Sequence, residues 1–557
     1  MPFDARIAWV LAGAGALAAV ALAAFPPAGL GDRLDFLFFH GAGFGPGTVF
    51  RFIAGLAVAA GAFAMARGGG PSRVWRRGRE RLAIAPRAYA AIMAGIGAIA
   101  WLSVVVATAD GVCLVPDSAS YLTFEPHRTI GYPLFLRLIG VGEGAWGALA
   151  PVQSGILIGA LAVLAHQVGR VCRDRLAATL AFALMAGNAS LAGYAGYVLA
   201  ETPFAALLAL HLAAVAALCV RFGWGVCLAA GLTLGGAILM RPAGYAFLGA
   251  LPALLLLLAR RRVLGALTVG AATALPLLAA AAFNHVQHGF FATQSIGGYS
   301  LLGQTAHLIA PEMPSAFGDL PARVATATAP FRAEIGAASF PHEAWRKGMN
   351  LYNPQLYEAA LPAIGAWLAE RPADARPELD RLVGALAREA IAHDPVGYAR
   401  QVGAQYYGLW LLSLMPQGPM AARLQACRAP ADGARTDGDG AIRIVPIDVF
   451  WAVAALAQFP ALGVVVLASW LAIPLWFVSA RRNAAWRFAI YAALGVNAYY
   501  LGFATTQVAL PRYANVVEPW MIAVLAALPA ALGFGHTEDR DRDSVDRARE
   551  DAPASRV

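Results

Sequence analysis

The chain has 557 residues, of which 59% are hydrophobic and only 13% charged, with a formal net charge of +9. A soluble globular chain carries about 25% charged residues, so the composition argues against a soluble protein. The apolar windows are long rather than short and alternating, which disfavours a transmembrane β-barrel. The positive balance need not mean nucleic acid, because basic residues collect in the cytoplasmic loops of membrane proteins, and no aromatic-basic nucleic-acid module is present.

A bilayer core about 30 Å thick takes roughly 20 apolar residues as a helix. About twelve such windows run along the chain, near 7–25, 48–66, 88–108, 149–168, 176–196, 202–220, 223–240, 243–259, 263–283, 461–480, 485–507 and 515–534. The expected fold is therefore all-α and polytopic. The first window follows Arg6; its length and the absence of a clear cleavage site make it an anchor rather than a signal peptide. The next loop holds Arg67, Arg73, Arg76, Arg77, Arg79 and Arg81, and such a loop stays on the cytoplasmic side. Fixing it there also places Arg170, Arg173, Arg175, Arg221, Arg260 to Arg262, Arg481 and Arg482 inside. The tail 535–557 alternates Asp, Glu and Arg and reads as a solvated cytoplasmic tail.

The outer side then receives two large segments. One spans about 109–149, and the other, 284–445, is too long for a plain connection. The second contains helix-like stretches such as EAWRKGMNLY and ADARPELDRLVGALAREAIAHDP, and an aromatic stretch, PVGYARQVGAQYYGLWLLSLMP, expected to lie at the external interface. The organisation is thus 1–83, two spans and a basic loop; 84–283, a membrane core; 284–445, a large external region; 446–534, the last spans; and 535–557, the tail. The five cysteines form no CxxC pair, although Cys113 and Cys427 could meet in an oxidising compartment.

Chemistry-bearing residues concentrate at the outer ends of the spans. In ADGVCLVPDSASYLTFEPHRTIGYPLFL, Asp110 ends a span, and Asp117 and Tyr121 share a face if the piece is helical. A carboxylate at the membrane surface can deprotonate an attacking hydroxyl, and low-dielectric surroundings would raise its pKa. The structural alternative is that Asp117 caps a helix. Arg128, Arg241 and Arg512 also fall outside, against the usual charge bias, and guanidinium groups bind phosphate bidentately. Glu201 opens ETPFAALLAL, where it could orient a substrate, pair with an arginine, bind a cation or cap the helix. His285 and His288 lack a third ligand and read as interfacial polar residues. No Walker loop, GxGxxG, HExxH or GxSxG motif is present.

The order of these motifs resembles the GT-C superfamily of integral membrane glycosyltransferases, in its bacterial branch related to protein mannosyltransferases and the lipid A aminoarabinose transferase. Carrying the likeness are Asp117, Tyr121, Arg128 and Gly131-Tyr132-Pro133, then Glu201 with ETPF, Arg241-Pro242, Asn284 and Gly289, HDPVGY, and Arg512-Tyr513, over about 84–534. Relatives often have a second acid where Ser118 follows Asp117 and a Pro at Ile130, and the first 80 residues lie outside the likeness. The resemblance implies transfer of a sugar from a polyprenyl-phosphate donor to a glycan, lipid or protein acceptor. This would occur at the periplasmic face of a bacterial inner membrane. Asp117 would be the base, Asp110 a secondary acid, and Arg128, Arg241, Arg512, Tyr121, Tyr132, Glu201 and Tyr513 would bind donor phosphate or substrate. No metal ligand set is assigned, and a divalent cation is neither required nor ruled out. The alternatives are a lipid or polysaccharide transporter or flippase, and a non-catalytic envelope-assembly protein.

Overall fold

A computed structural model of the chain describes residues 84–109, 111–141, 146–254, 262–372, 377–412 and 483–531. The expected spans 7–25, 48–66 and 461–480, the tail, Asp110 and Cys427 lie outside the described residues. Among the described residues the secondary structure is helical, with one isolated bridge between Cys113 and Tyr197. The α-helices in chain order are α1 Pro86–Ala107, α2 Pro116–Leu122, α3 Gly131–Leu138, α4 Trp146–Cys172, α5 Arg175–Ala186, α6 Ala189–Gly193, α7 Glu201–Val220, α8 Trp224–Met240, α9 Arg262–His288 and α10 Gly297–Thr305. They continue with α11 Leu320–Gly336, α12 His342–Asn353, α13 Leu361–Ala369, α14 Leu379–His393, α15 Pro395–Leu412, α16 Ala484–Thr506, α17 Pro511–Ala514 and α18 Glu518–Ala531.

Among the described residues six helices are long and apolar enough to cross a membrane: α1, α4, α7, α9 from Val263, α16, and the run Pro511–Ala531. Each coincides with an expected window. Three other windows differ. Window 176–196 is broken, with α5 and the Ala189–Gly196 segment bent by 45°. The break falls at Gly187-Asn188, where Asn188 accepts from the Leu191 N–H at 2.9 Å and restarts the helix as its N-cap. Window 223–240 is the 17-residue α8, shorter than the others. Window 243–259 is not an α-helix where described, because Pro242–Ala253 winds as a 3₁₀-helix. Pro252 has no N–H for an i→i−4 bond, and the tighter winding carries the segment antiparallel along α16, with Gly249 beside Ala498 and Ala246 beside Gly502.

Helices α8 and α9 approach through Gly231 and Gly235, one turn apart. A Cβ on either would meet the backbone of α9 at Val269 or Thr273, so the pair requires glycine. The arginine-bearing helix ends gather at one pole. There Arg487 donates to the Cys219 carbonyl at 2.7 Å, Arg175 to that of Ile84 at 3.1 Å and Asn483 to that of Ala530 at 2.9 Å.

At the opposite pole α10 to α14 form a helical domain with its own core of Leu302, Val324, Leu356, Ile364, Trp367 and Leu386. The stretch expected to be more than a plain connection is thus a packed helical unit as far as it is described. The next helix, α15, packs antiparallel along α16: Tyr398 donates to the Thr505 carbonyl at 2.7 Å and Tyr406 to Asn497 at 2.5 Å.

His307 in this domain is 5% exposed, and burial pushes its pKa down to about 4. The unfolded chain therefore binds the extra proton first, and stability falls as pH drops below about 6.5. Between pH 7.5 and 5 the loss from this group is expected to reach about 2 kcal/mol. The check is thermal unfolding against pH, in which a His307→Gln variant shows a flatter slope.

Candidate active site

The segment between α1 and α4 turns tightly on itself. Pro116 opens α2, and the Ser118 hydroxyl accepts from the Val115 N–H at 2.9 Å and donates to the Val198 carbonyl at 3.0 Å. Val115, not Asp117, is the N-cap, which leaves the Asp117 side chain free of capping. Phe124 at φ 61° reverses the chain, and Arg128 returns beside Asp117. Cys113 pairs with the next hairpin through Gly196 at 2.8 Å and Val198 at 3.0 Å. Gln153, fully buried in α4, donates to the carbonyls of Ala195 and Tyr197 at 3.1 and 3.2 Å. Thr129 donates to Met240 at 3.3 Å and joins this segment to the end of α8.

Gly131 permits that junction. A Cβ there would sit 2.5 Å from the Leu239 carbonyl oxygen. Gly131→Ala is therefore expected to cost about 1–3 kcal/mol through overpacking. A drop in melting temperature, together with lost activity through displacement of Arg128, is the readout.

These elements close a cavity of about 850 Å³ at the end of the bundle opposite the arginine-bearing pole, lined by Asp117, Tyr121, Arg128, Arg241, Arg512 and Tyr513. Asp117 accepts from Arg128 at 2.7 Å and from Arg512 at 3.0 Å, across 395 residues of sequence. Arg128 also donates to the Ser120 hydroxyl at 2.8 Å and lies over the Tyr121 ring at 4.9 Å. Glu201, 1% exposed behind the cavity wall, forms an ion pair with Arg241 and holds Arg512 Nε at 3.7 Å. Arg241 and Arg512 lie over the Tyr513 ring at 4.4 and 4.9 Å. Tyr132 does not line the cavity; it is fully buried beneath Tyr121, edge-on at 4.9 Å. Among these described residues three guanidinium groups meet two carboxylates, a surplus of one positive charge.

The chain matches no family model, and no curated protein or solved structure is significantly similar to it.

The Asp117 pKa differs in sign from the sequence expectation. Burial does raise it, but Arg512 and Arg128 together outweigh burial and hold the carboxyl below the ordinary aspartate value. Burial pushes the Tyr121 phenol up, keeping it a protonated donor. Asp117 and Glu201 both face arginine, and among the described residues no three His, Cys, Asp or Glu side chains cluster as a metal ligand set would. His285 and His288 sit at the end of α9 against Phe291 and Phe290, away from the cavity lining. Cys113 is disulfide-bonded, whereas Cys172, Cys219 and Cys227 are thiols outside any disulfide.

The far wall was not foreseen. Tyr299, Tyr352, Asn353 and Tyr357 come from the α10–α14 domain, and Gln507 from the segment after α16. Tyr357 stands on a π-helical turn, Pro354–Ala360, a feature frequent at functional sites. The Tyr-rich LYNPQLY around Pro354 was the available signal.

Proposed function

We propose that the chain is a membrane glycosyltransferase that moves a sugar from a polyprenyl-phosphate donor to an acceptor hydroxyl or amine at the outer face of a bacterial inner membrane. The observation that carries this reading is the convergence of Arg128 and Arg512 on Asp117, with Arg241 held by Glu201 beside them, in one cavity at the membrane-helix ends. The ordered motif resemblance to GT-C enzymes supports it. The outward placement is favoured by the arginine-rich pole at the other end and by the disulfide-bonded Cys113, since disulfides persist in oxidising compartments.

In the reaction the acceptor oxygen or nitrogen attacks the anomeric carbon. The bond from that carbon to the phosphate oxygen breaks, and polyprenyl phosphate leaves with one more negative charge than it had in the donor. The surplus cation and the arginines around it are placed to stabilise that charge. Asp117 takes the proton of the acceptor. A donor phosphate that draws Arg128 and Arg512 toward itself loosens their hold on Asp117, and its basicity rises when it is needed. The phenols and amides of the far wall are neutral donors and acceptors suited to sugar hydroxyls.

The test is transfer of labelled sugar from polyprenyl-phosphate donors by the purified chain in detergent, where no compartments exist for transport to be scored. Absence of transfer across a panel of such donors and acceptors, with lipid translocation in vesicles, would favour the flippase alternative.

A further inference from the structure

Across the cavity from Asp117, the wall supplied by the α10–α14 domain carries Tyr357, a large ring left 55% exposed. The local sequence explains that exposure. Pro354 has no N–H to give, and Pro354–Ala360 winds as a π-helical turn. The wider i→i+5 closure moves side chains away from the direction an α-helix would give them. The turn itself is well held. Leu356 and Ala360 are buried in the domain core, and Gln355 donates to the Gly303 carbonyl at 2.6 Å. The exposed ring therefore stands on a packed support.

Its neighbours divide into braces and free faces. Tyr352, 8% exposed, donates to the Ser300 carbonyl at 3.3 Å, and Gln507 donates to the Ser300 hydroxyl at 2.7 Å. Asn353, four residues before Tyr357, is exposed and lines the same cavity. Burial pushes the Tyr357 phenol up, Arg128 lowers it and Asp117 raises it, so the ring lies within electrostatic reach of both. In the proposed donor a single oxygen joins sugar to phosphate. A phosphate held by Arg128 and Arg512 therefore puts the sugar between those arginines and Tyr357. A pyranose offers an apolar face of C–H bonds and a rim of hydroxyls. The negative face of a phenol ring suits the first, and the Asn353 amide suits the second.

Resting on the glycosyl-transfer reading, we infer that Tyr357 is a specificity-determining residue that stacks on the sugar ring of the donor, opposite Asp117, with Asn353 taking a sugar hydroxyl beside it. Tyr357 thus reads the sugar, and the arginines read the phosphate.

The experiment measures binding of a polyprenyl phosphate and of its mannosyl, glucosyl and galactosyl esters to the full chain in neutral detergent. The parent is expected to bind at least one ester more tightly than the bare phosphate. Tyr357→Leu weakens that ester about ten-fold and leaves the bare phosphate unchanged, whereas Tyr357→Phe and Tyr357→Trp keep the preference. In turnover, Tyr357→Leu raises the donor KM and not the acceptor KM. The melting temperature without ligand stays that of the parent, because the side chain is exposed. If the Leu variant fails to fold, Tyr357→Ser reads the same quantity. Undiminished ester binding in Tyr357→Leu, equal loss of ester and bare phosphate, or a rise confined to the acceptor KM would each overturn the role of Tyr357 while leaving the transfer reading intact. A parent that binds neither the bare phosphate nor any ester would overturn both.

Discussion

Asp117→Asn is expected to lower the rate of sugar transfer about 10²–10⁴-fold, the usual contribution of a positioned general base, while leaving the donor KM unchanged or lower. The amide keeps the size of the side chain but cannot accept the acceptor's proton. It also no longer competes with phosphate for Arg128 and Arg512, which it now holds at 2.7 and 3.0 Å. A purely structural role would instead raise KM and lower the melting temperature together. The pH profile supplies a second reading. In the free protein the arginines hold the Asp117 pKa below that of an ordinary aspartate, so the acid limb of kcat/KM lies below the usual carboxylate range. Donor binding redirects the arginines, so the acid limb of kcat lies at higher pH than that of kcat/KM. Coincident limbs, or an undiminished rate in the variant, would remove Asp117 from the role of base.

The second large effect concerns Glu201 and Arg241. Glu201 is 1% exposed and Arg241 13%, and each neutralises the other. Removing one partner of a buried pair costs about 3–5 kcal/mol, because the remaining charge stays desolvated. Glu201→Gln therefore lowers the melting temperature strongly and frees Arg241 and Arg512 to repel one another across the cavity, with a loss of transfer as well. Replacing both partners with Met leaves no orphan charge, so the double variant recovers most of the stability. It does not recover donor affinity, because an arginine that lines the cavity is gone. Thermal unfolding and the donor KM on the same three variants separate the two effects. A Glu201→Gln protein as stable as the parent would show that the pair is not buried as described.

Much of the site was legible before any coordinates. Asp117, Tyr121, Arg128, Arg241, Arg512 and Tyr513 were singled out as polar groups at the outer ends of apolar windows, and all of them line one cavity. The windows themselves were found by length and hydropathy, which report the membrane's thickness directly. Where the helices depart from these windows, the cause is local. A proline-bounded segment winds as a 3₁₀-helix at Pro242–Ala253, and Asn188 restarts a helix that hydropathy alone would have run straight through.

What the sequence by itself determined is a set of apolar helices long enough to cross a membrane, with charged side chains gathered at their ends. Those properties follow from transfer free energy and charge bias, which are nearly additive along a chain. The tertiary structure alone decided the pairing: that Asp117 meets Arg512 across 395 residues, that Glu201 rather than Asp117 serves Arg241, and that the α10–α14 domain supplies a tyrosine and amide wall. It also reversed the sign of the Asp117 pKa shift. A lone carboxylate at a membrane surface is raised by desolvation, and two guanidinium groups within hydrogen-bond reach outweigh that, a contest set by distances that no one-dimensional pattern contains.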